Sequence, residues 1–263
     1  MTTIMGFVKV TKEDIIEKLK KVGLQKGDMV YVASFIPVLG KSPTLLEDTI
    51  EALITVVGGE GTVVMPTFNW GYCNGDVFDP IKTPSKVGVL TEAFRKYTGV
   101  LRSVTPPWCT FAAIGKNANE IVAIEGTSSF GSNGIVQYLY DRNTRYILLG
   151  CPYEDAVIHL HWLEEKYEVA YRFWKQFKGQ ININGKLIDN VSYMYARRTE
   201  IDTEIDSSSM TRLFDESGEV SIEKIGLGHL RSFLVKDYVG FMTPYLEKDK
   251  NCLLPKDSSG YFE

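Results

Sequence analysis

The chain holds three histidines, and two of them fall in Val157-Ile158-His159-Leu160-His161-Trp162-Leu163-Glu164-Glu165. Residues three apart on a helix share a face, so His161 and Glu164 can meet. A carboxylate beside an imidazole raises its basicity and fixes its tautomer, and such a pair suits a general base. The same pattern also suits a solvated histidine in a surface charge run. His159 lies off the helical face of His161 and reads as structural. His229 has no acidic neighbour close in sequence and reads the same way. If residues 155–161 were extended, His159 and His161 would share a face, and with Asp155 and Glu164 they would suit a metal-dependent hydrolase. A binding protein without catalysis is the third class, because a scaffold does not fix a function.

Composition narrows the field. The 263 residues carry 29 Lys+Arg against 33 Asp+Glu, a net charge of −4, which does not suit a generic nucleic-acid binder. No apolar run reaches the ~20 residues of a membrane helix. The opening MTTIMGFVKVTKED lacks a signal-peptide pattern, so the cytoplasm is the expected location. Cys73, Cys109, Cys151 and Cys252 show no C-x-x-C spacing and read as buried thiols, giving no zinc knuckle or disulfide framework. Phosphate-loop, dinucleotide, H-E-x-x-H and G-x-S-x-G motifs are absent from the sequence.

The elements that must position His161 follow from periodicity. Thr11 and Asp14 cap a helix with Ile15, Ile16, Leu19 and Val22 on one face, stopped by Gly23. Strand Met29–Val32, helix Leu45–Val57 and strand Thr62–Met65 form a strand–helix–strand unit, which predicts an α/β architecture with parallel pairing. Residues 67–86 read as a long aromatic loop of the kind that carries function. Helices are expected over 86–97, 117–124, 134–140 and 157–167, and strands over 110–114 and 145–150. Asn184-Gly185 predicts a type I′ hairpin over 180–188. The acidic stretch 201–219 is weakly patterned, and 226–241 reads as a last helical region. The expected fold is one domain over 1–263, a mixed sheet flanked by helices with a C-terminal hairpin and helical elaboration.

Several ordered segments resemble the aminoglycoside 3-N-acetyltransferase family. Gly27-Asp28 through Ala33-Ser34-Phe35-Ile36 to Leu39-Gly40 resembles "G-D … V-H-S-S-L … L-G". Gly59-Glu60-Gly61-Thr62-Val63-Val64-Met65-Pro66-Thr67-Phe68 resembles "EGTLVMPTF". Gly88-Val89-Leu90 with Glu92, Phe94, Arg95, Gly99 and Arg102-Ser103 resembles "G-x-L-x-E-x-(F/L)-R … G-x-x-R-S". Pro107 with Thr110 to Gly115 resembles "H-P-x-x-S-x-A-A-x-G". Leu148-Leu149-Gly150, His161-x-x-Glu164-Glu165 and Tyr171-Arg172 resemble "L-L-G … L-H-x-x-E-E … P-Y-R". The matches run in order over about 15–180, with 181–263 as the elaborated part. Ala33, Phe35 and Pro106 depart from the pattern at its His, second Ser and His, and Gly134 stands where many members carry Ser.

The resemblance implies transfer of an acyl group from coenzyme A to a sugar amine, without a metal. It implies His161 as base and Glu164 as its partner. Ser34, Thr67 and Thr110 resemble positions near the cofactor, and Arg102 suits a phosphate. Trp70 and Tyr72 in the aromatic loop suit stacking on a sugar or base. Glu154 and Asp155, just before the His161 helix, suit a cationic acceptor. Family habit makes a homodimer the expectation. Ala33, Phe35 and the aromatic loop tip the expected acceptor toward a nucleotide-linked (dTDP-type) amino sugar of surface polysaccharide synthesis, ahead of an aminoglycoside antibiotic.

Overall fold

Along Met29–Ser34 every residue between the two ends is buried, the mark of a strand covered on both faces. Side chains alternate across a strand. Val30 and Val32 accordingly join one apolar cluster and Tyr31 and Ala33 the other. The computed structural model describes residues 9–200 and 202–259. Its strands are β1 (Met29–Ser34), β2 (Thr62–Pro66), β3 (Leu101–Arg102), β4 (Phe111–Gly115), β5 (Arg145–Leu149), β6 (Arg172–Ile183), β7 (Lys186–Arg197), β8 (Ser221–Ile225) and β9 (Gly228–Leu234). Seven of them form one sheet in the order β3-β4-β2-β1-β5-β9-β8, while β6 and β7 form a separate ribbon. β1 runs parallel to β2 and β5, and the remaining pairings are antiparallel.

The helices are α1 (Lys12–Lys21), α2 (Leu45–Val57), α3 (Val89–Arg95), α4 (Ala118–Val122), α5 (Ile135–Asp141), α6 (Tyr153–Ala156), α7 (His159–Lys166), α8 (Ser208–Glu216), α9 (Val235–Lys248) and α10 (Lys256–Ser259). Ile15, Leu19, Leu53 and Phe94 pack α1, α2 and α3 on one sheet face. Ile121, Leu139, Leu163 and Met242 pack α4, α5, α7 and α9 on the other. This is a mixed α/β sheet flanked by helices, as the sequence predicts. Thr11 and Asp14 form the expected capping box, and Gly23 follows α1 with φ +87°. Among the described residues no helix is long and apolar enough to cross a membrane. The first eight residues, where the signal-peptide reading begins, lie outside the described residues.

Three expectations change. The region 226–241 is not one helix: Gly228–Leu234 is a strand paired to β5 and β8, and the helix starts at Val235. Leu230, Ser232 and Phe233 are buried while His229 is exposed, and the strand is paired on both sides, with β8 at the edge of the sheet. The 180–188 hairpin is only the tip of a ribbon whose strands have 12 residues each. Its turn holds, with Asn184 at φ +53° and Gly185 at φ +86°. The acidic stretch contains α8.

Candidate active site

Helix α7 sends its two histidines in different directions. His159 is fully buried, its Nε2 3.0 Å from the Val136 carbonyl and its Nδ1 2.5 Å from the Tyr146 hydroxyl. Burial lowers its pKa to about 3, so the ring is neutral. Both nitrogens are engaged in the core, and His159 cannot join His161 on a shared metal. That removes the geometry on which the hydrolase reading rests.

His161 faces a cavity of about 950 Å³. One helical turn on, Glu164 Oε2 lies 2.7 Å from His161 Nδ1, with Glu164 fully buried. Arg172, at the start of β6, places Nε 2.8 Å from the same carboxylate oxygen. Burial opposes ionisation of Glu164. The hydrogen bond from His161, together with the Arg172 guanidinium, outweighs it and holds the carboxyl below its ordinary value. A carboxylate accepts and cannot donate, so Nδ1 carries the proton toward Glu164. That leaves the Nε2 lone pair for a substrate proton. Arg172 Nη1 also donates to the Tyr195 carbonyl at 3.2 Å, tying the ribbon to the catalytic helix.

The cavity opens where β1, β2 and β5 end, at Ser34, Pro66 and Gly150. Ligands of parallel sheets gather at these carboxyl ends. Trp70, Trp108, Phe130 and Tyr195 give it aromatic walls, and Glu154 and Asp155 give it carboxylates. Thr203, Glu204 and Ile205 close another side, so part of the acidic stretch is cavity wall. Glu204 pairs with Arg197 at 2.8 Å, and Glu154 accepts from Ser207 at 2.7 Å. The Phe35 N–H donates to Leu149 and the Gly150 N–H to His229. The Ser34 hydroxyl has no hydrogen-bond partner among the described residues and stays available to a ligand.

Ser34, Trp70, Glu154, Asp155 and His161 therefore come together. Four expected ligand residues do not. Thr67 and Thr110 are fully buried, with their hydroxyls 3.0 Å apart. Arg102 Nε donates to both hydroxyls at 3.1 Å, while Nη1 and Nη2 donate to the Thr83 and Thr67 carbonyls. Burial lowers Arg102 to about 10. This guanidinium fastens the 67–84 loop to the sheet and is not placed for a phosphate. Tyr72 is buried against Gly179, where an added Cβ would come within 2.7 Å of its ring, and its hydroxyl donates to the Asn190 carbonyl. It anchors the ribbon and cannot stack on a ligand. Sequence reasoning left Arg172 without a role. Its Tyr171-Arg172 motif was visible, but no spacing rule brings it back onto Glu164.

Comparison with known proteins bears on this geometry. The family profile described as aminoglycoside 3-N-acetyltransferase matches residues 31–247. The chain is 28% identical over 257 residues to the SPbeta prophage-derived aminoglycoside N(3')-acetyltransferase-like protein YokD of Bacillus subtilis (strain 168), covering 88% of this chain and 90% of that one. The crystal structure of YokD superposes with a TM-score of 0.76, covering 92% of this chain and 95% of that one at 26% identity. A structure of AAC-IIIb in binary complex with CoASH gives a TM-score of 0.79 at 20% identity, covering 91% and 97%. AAC-VIa bound to sisomicin gives 0.79 at 20% identity, covering 91% and 98%. The last two likenesses are of fold.

Proposed function

Because the chain belongs to the aminoglycoside 3-N-acetyltransferase family, we propose that it transfers an acetyl group from acetyl-CoA to a primary amine of an aminoglycoside, with His161 as general base. The observation that carries this reading is the His161–Glu164 pair at 2.7 Å, opening onto a cavity that also presents Glu154 and Asp155. Acetyl-CoA supplies the activated acyl group as a thioester. His161 Nε2 takes the proton of the attacking amine as the N–C bond forms and the C–S bond breaks, then returns it to the departing thiolate. Glu164 stabilises the imidazolium between those events, and Arg172 keeps Glu164 ionised. The Ser34 hydroxyl is the side-chain donor suited to the oxyanion.

Charge favours the aminoglycoside over the nucleotide-linked sugar, reversing the order expected from sequence. Arg172 and Arg197, the basic residues lining the cavity, are paired with Glu164 and Glu204. Glu154 and Asp155 have no basic partner among the described residues. A polycation is drawn to such a wall and a diphosphate is repelled. The loss of Tyr72 as a stacking platform removes half of the aromatic argument for a base. Thiol release from acetyl-CoA, measured with an aminoglycoside panel and with dTDP-linked amino sugars, tests the proposal. Turnover with aminoglycosides is expected. Turnover confined to the nucleotide sugars overturns it.

A further inference from the structure

Glu165 takes no part in the mechanism above, yet it stands four residues after His161 on α7, on the same side of the helix. It is half-buried, and its Oε2 is enclosed without a hydrogen-bond partner among the described residues. The carboxyl accepts from the Ser128 hydroxyl, which lies in the loop between α4 and α5. The same hydroxyl oxygen accepts the Phe130 N–H at 3.3 Å. A hydroxyl can donate and accept at once, so hydrogen bonds run from Phe130 through Ser128 to Glu165. Other elements hold the residues on either side of Ser128. The Thr127 carbonyl accepts the Tyr193 N–H of β7 at 2.7 Å, and the Ser129 hydroxyl donates to the Cys109 carbonyl at 2.9 Å. Ser128 ties the same loop to α7. The Phe130 ring lines the main cavity and packs T-shaped against His161, with centroids 6.3 Å apart and planes at 74°. Glu164 thus holds one nitrogen of the imidazole while Phe130 bears on the ring itself.

We propose that Glu165 is a positioning residue for the base: through Ser128 it holds the Phe130 loop, and the Phe130 ring keeps the His161 imidazole turned with Nε2 toward the attacking amine. The inference rests on the general-base role given above for His161. The tie depends on a proton. Among the described residues no basic side chain pairs with Glu165. Glu164 and Glu168 lie close to it along the chain. On the ribbon, Arg172 is paired with Glu164 at 2.8 Å and the Tyr195 hydroxyl donates to the Val169 carbonyl at 2.8 Å. The loop offers Ser128 alone, and α5 and α9 bring no charged group to bear on it. Burial therefore raises the carboxyl to about 7 against the Ser128 hydrogen bond. The protonated acid stays beside Ser128. The carboxylate, with one enclosed oxygen unpaired, gains by turning out to water, and the hold on Phe130 loosens.

The Phe130 amide signal in NMR, assigned with Phe130→Leu, reads the tie without turnover. It should titrate near pH 7 in the wild type and stay flat in Glu165→Gln, which keeps the hydrogen bond and cannot ionise. The wild-type kcat for acetyl transfer should fall above pH 7. Glu165→Gln should abolish that fall, because a base that acts in its neutral form gives no loss at high pH. Glu165→Ala and Ser128→Ala should each lower kcat roughly 3–10-fold, in keeping with one lost hydrogen bond, with KM for both substrates within about twofold. The double variant should be no worse than either single one, since both cut the same tie. A residue that served stability alone would lower the melting midpoint and leave the pH profile of kcat untouched. A Phe130 signal that does not titrate in the wild type, or a fall in kcat that survives in Glu165→Gln, overturns the proposal even if acetyl transfer proceeds. A Phe130 signal that follows Glu165, without transfer to any amine, would instead overturn the enzymatic reading and leave the tie between α7 and the loop standing.

Discussion

Substituting His161 and Glu164 one at a time should divide rate from stability. In His161→Ala the buried carboxylate keeps Arg172 at 2.8 Å, so no uncompensated charge is left in the core. The His161 side chain is 35% exposed, and its removal should cost no more than about 1 kcal/mol. The turnover number should still fall roughly 10²–10⁴-fold, the usual contribution of a positioned base. Glu164→Gln keeps the shape but removes the charge, leaving the Arg172 side chain, 11% exposed, without its carboxylate. Breaking one side of a buried pair costs about 3–5 kcal/mol. At about 2–4 °C per kcal/mol for a chain of this size, the melting midpoint should drop by roughly 6–20 °C. Turnover should drop as well, because a neutral amide cannot stabilise the imidazolium. The Glu164 carboxyl is held below its ordinary value in the fold, so its stabilisation is present above the unfolded pKa and is lost as pH falls through the folded one. The gap in midpoint between wild type and Glu164→Gln should therefore narrow below about pH 4. Steady-state thiol release and scanning calorimetry read both quantities. A Glu164→Gln protein with the wild-type midpoint, or a His161→Ala protein with wild-type turnover, would refute the reasoning.

Two further outcomes follow from buried polar groups. Burial raises the Glu165 carboxyl to about 7 against a lowering hydrogen bond from Ser128, so between about pH 4.5 and 7 the folded chain holds a proton that the unfolded chain releases. Stability from this group falls as pH rises through that window, and Glu165→Gln should raise the melting midpoint at pH 8 but not at pH 4. Arg102→Ala should destabilise the fold by about 3 kcal/mol through its lost charge-assisted hydrogen bonds, with KM for acetyl-CoA within about twofold of wild type; a tenfold rise in KM would return Arg102 to the cofactor.

Local patterns were readable in the sequence, and contacts between distant elements were not. The Thr11/Asp14 cap, the β1–α2–β2 unit and the His161–Glu164 pair depend on spacings of a few residues, which periodicity reports directly. Arg172 reaches Glu164 only because the chain leaves α7 and returns as β6. Glu204 enters the cavity because Ser207, at the head of α8, is tied to Glu154. Thr67, Thr110 and Arg102 show a different failure. Two hydroxyls and a guanidinium suit a phosphate, and they suit equally well a clamp between a loop and a sheet; only burial distinguishes the two. In the 226–241 region, apolar spacing fitted a helix, but the edge of β5 offered a ladder that a strand alone could fill.

Gly150 closes β5 with φ +75°, and a Cβ there would come within 2.5 Å of Val38 Cγ2 and 3.1 Å of the Phe35 carbonyl oxygen. Because it borders both the main cavity and a neighbouring one of about 620 Å³, any side chain there would press on the walls of both at once. Adaptation to a new acceptor has little to gain at such a position. The routes open to selection lie on the walls that border one cavity each, with Trp70 and Asp155 on one side and Leu227 and Arg212 on the other. One cavity can therefore be reshaped while the other keeps its walls.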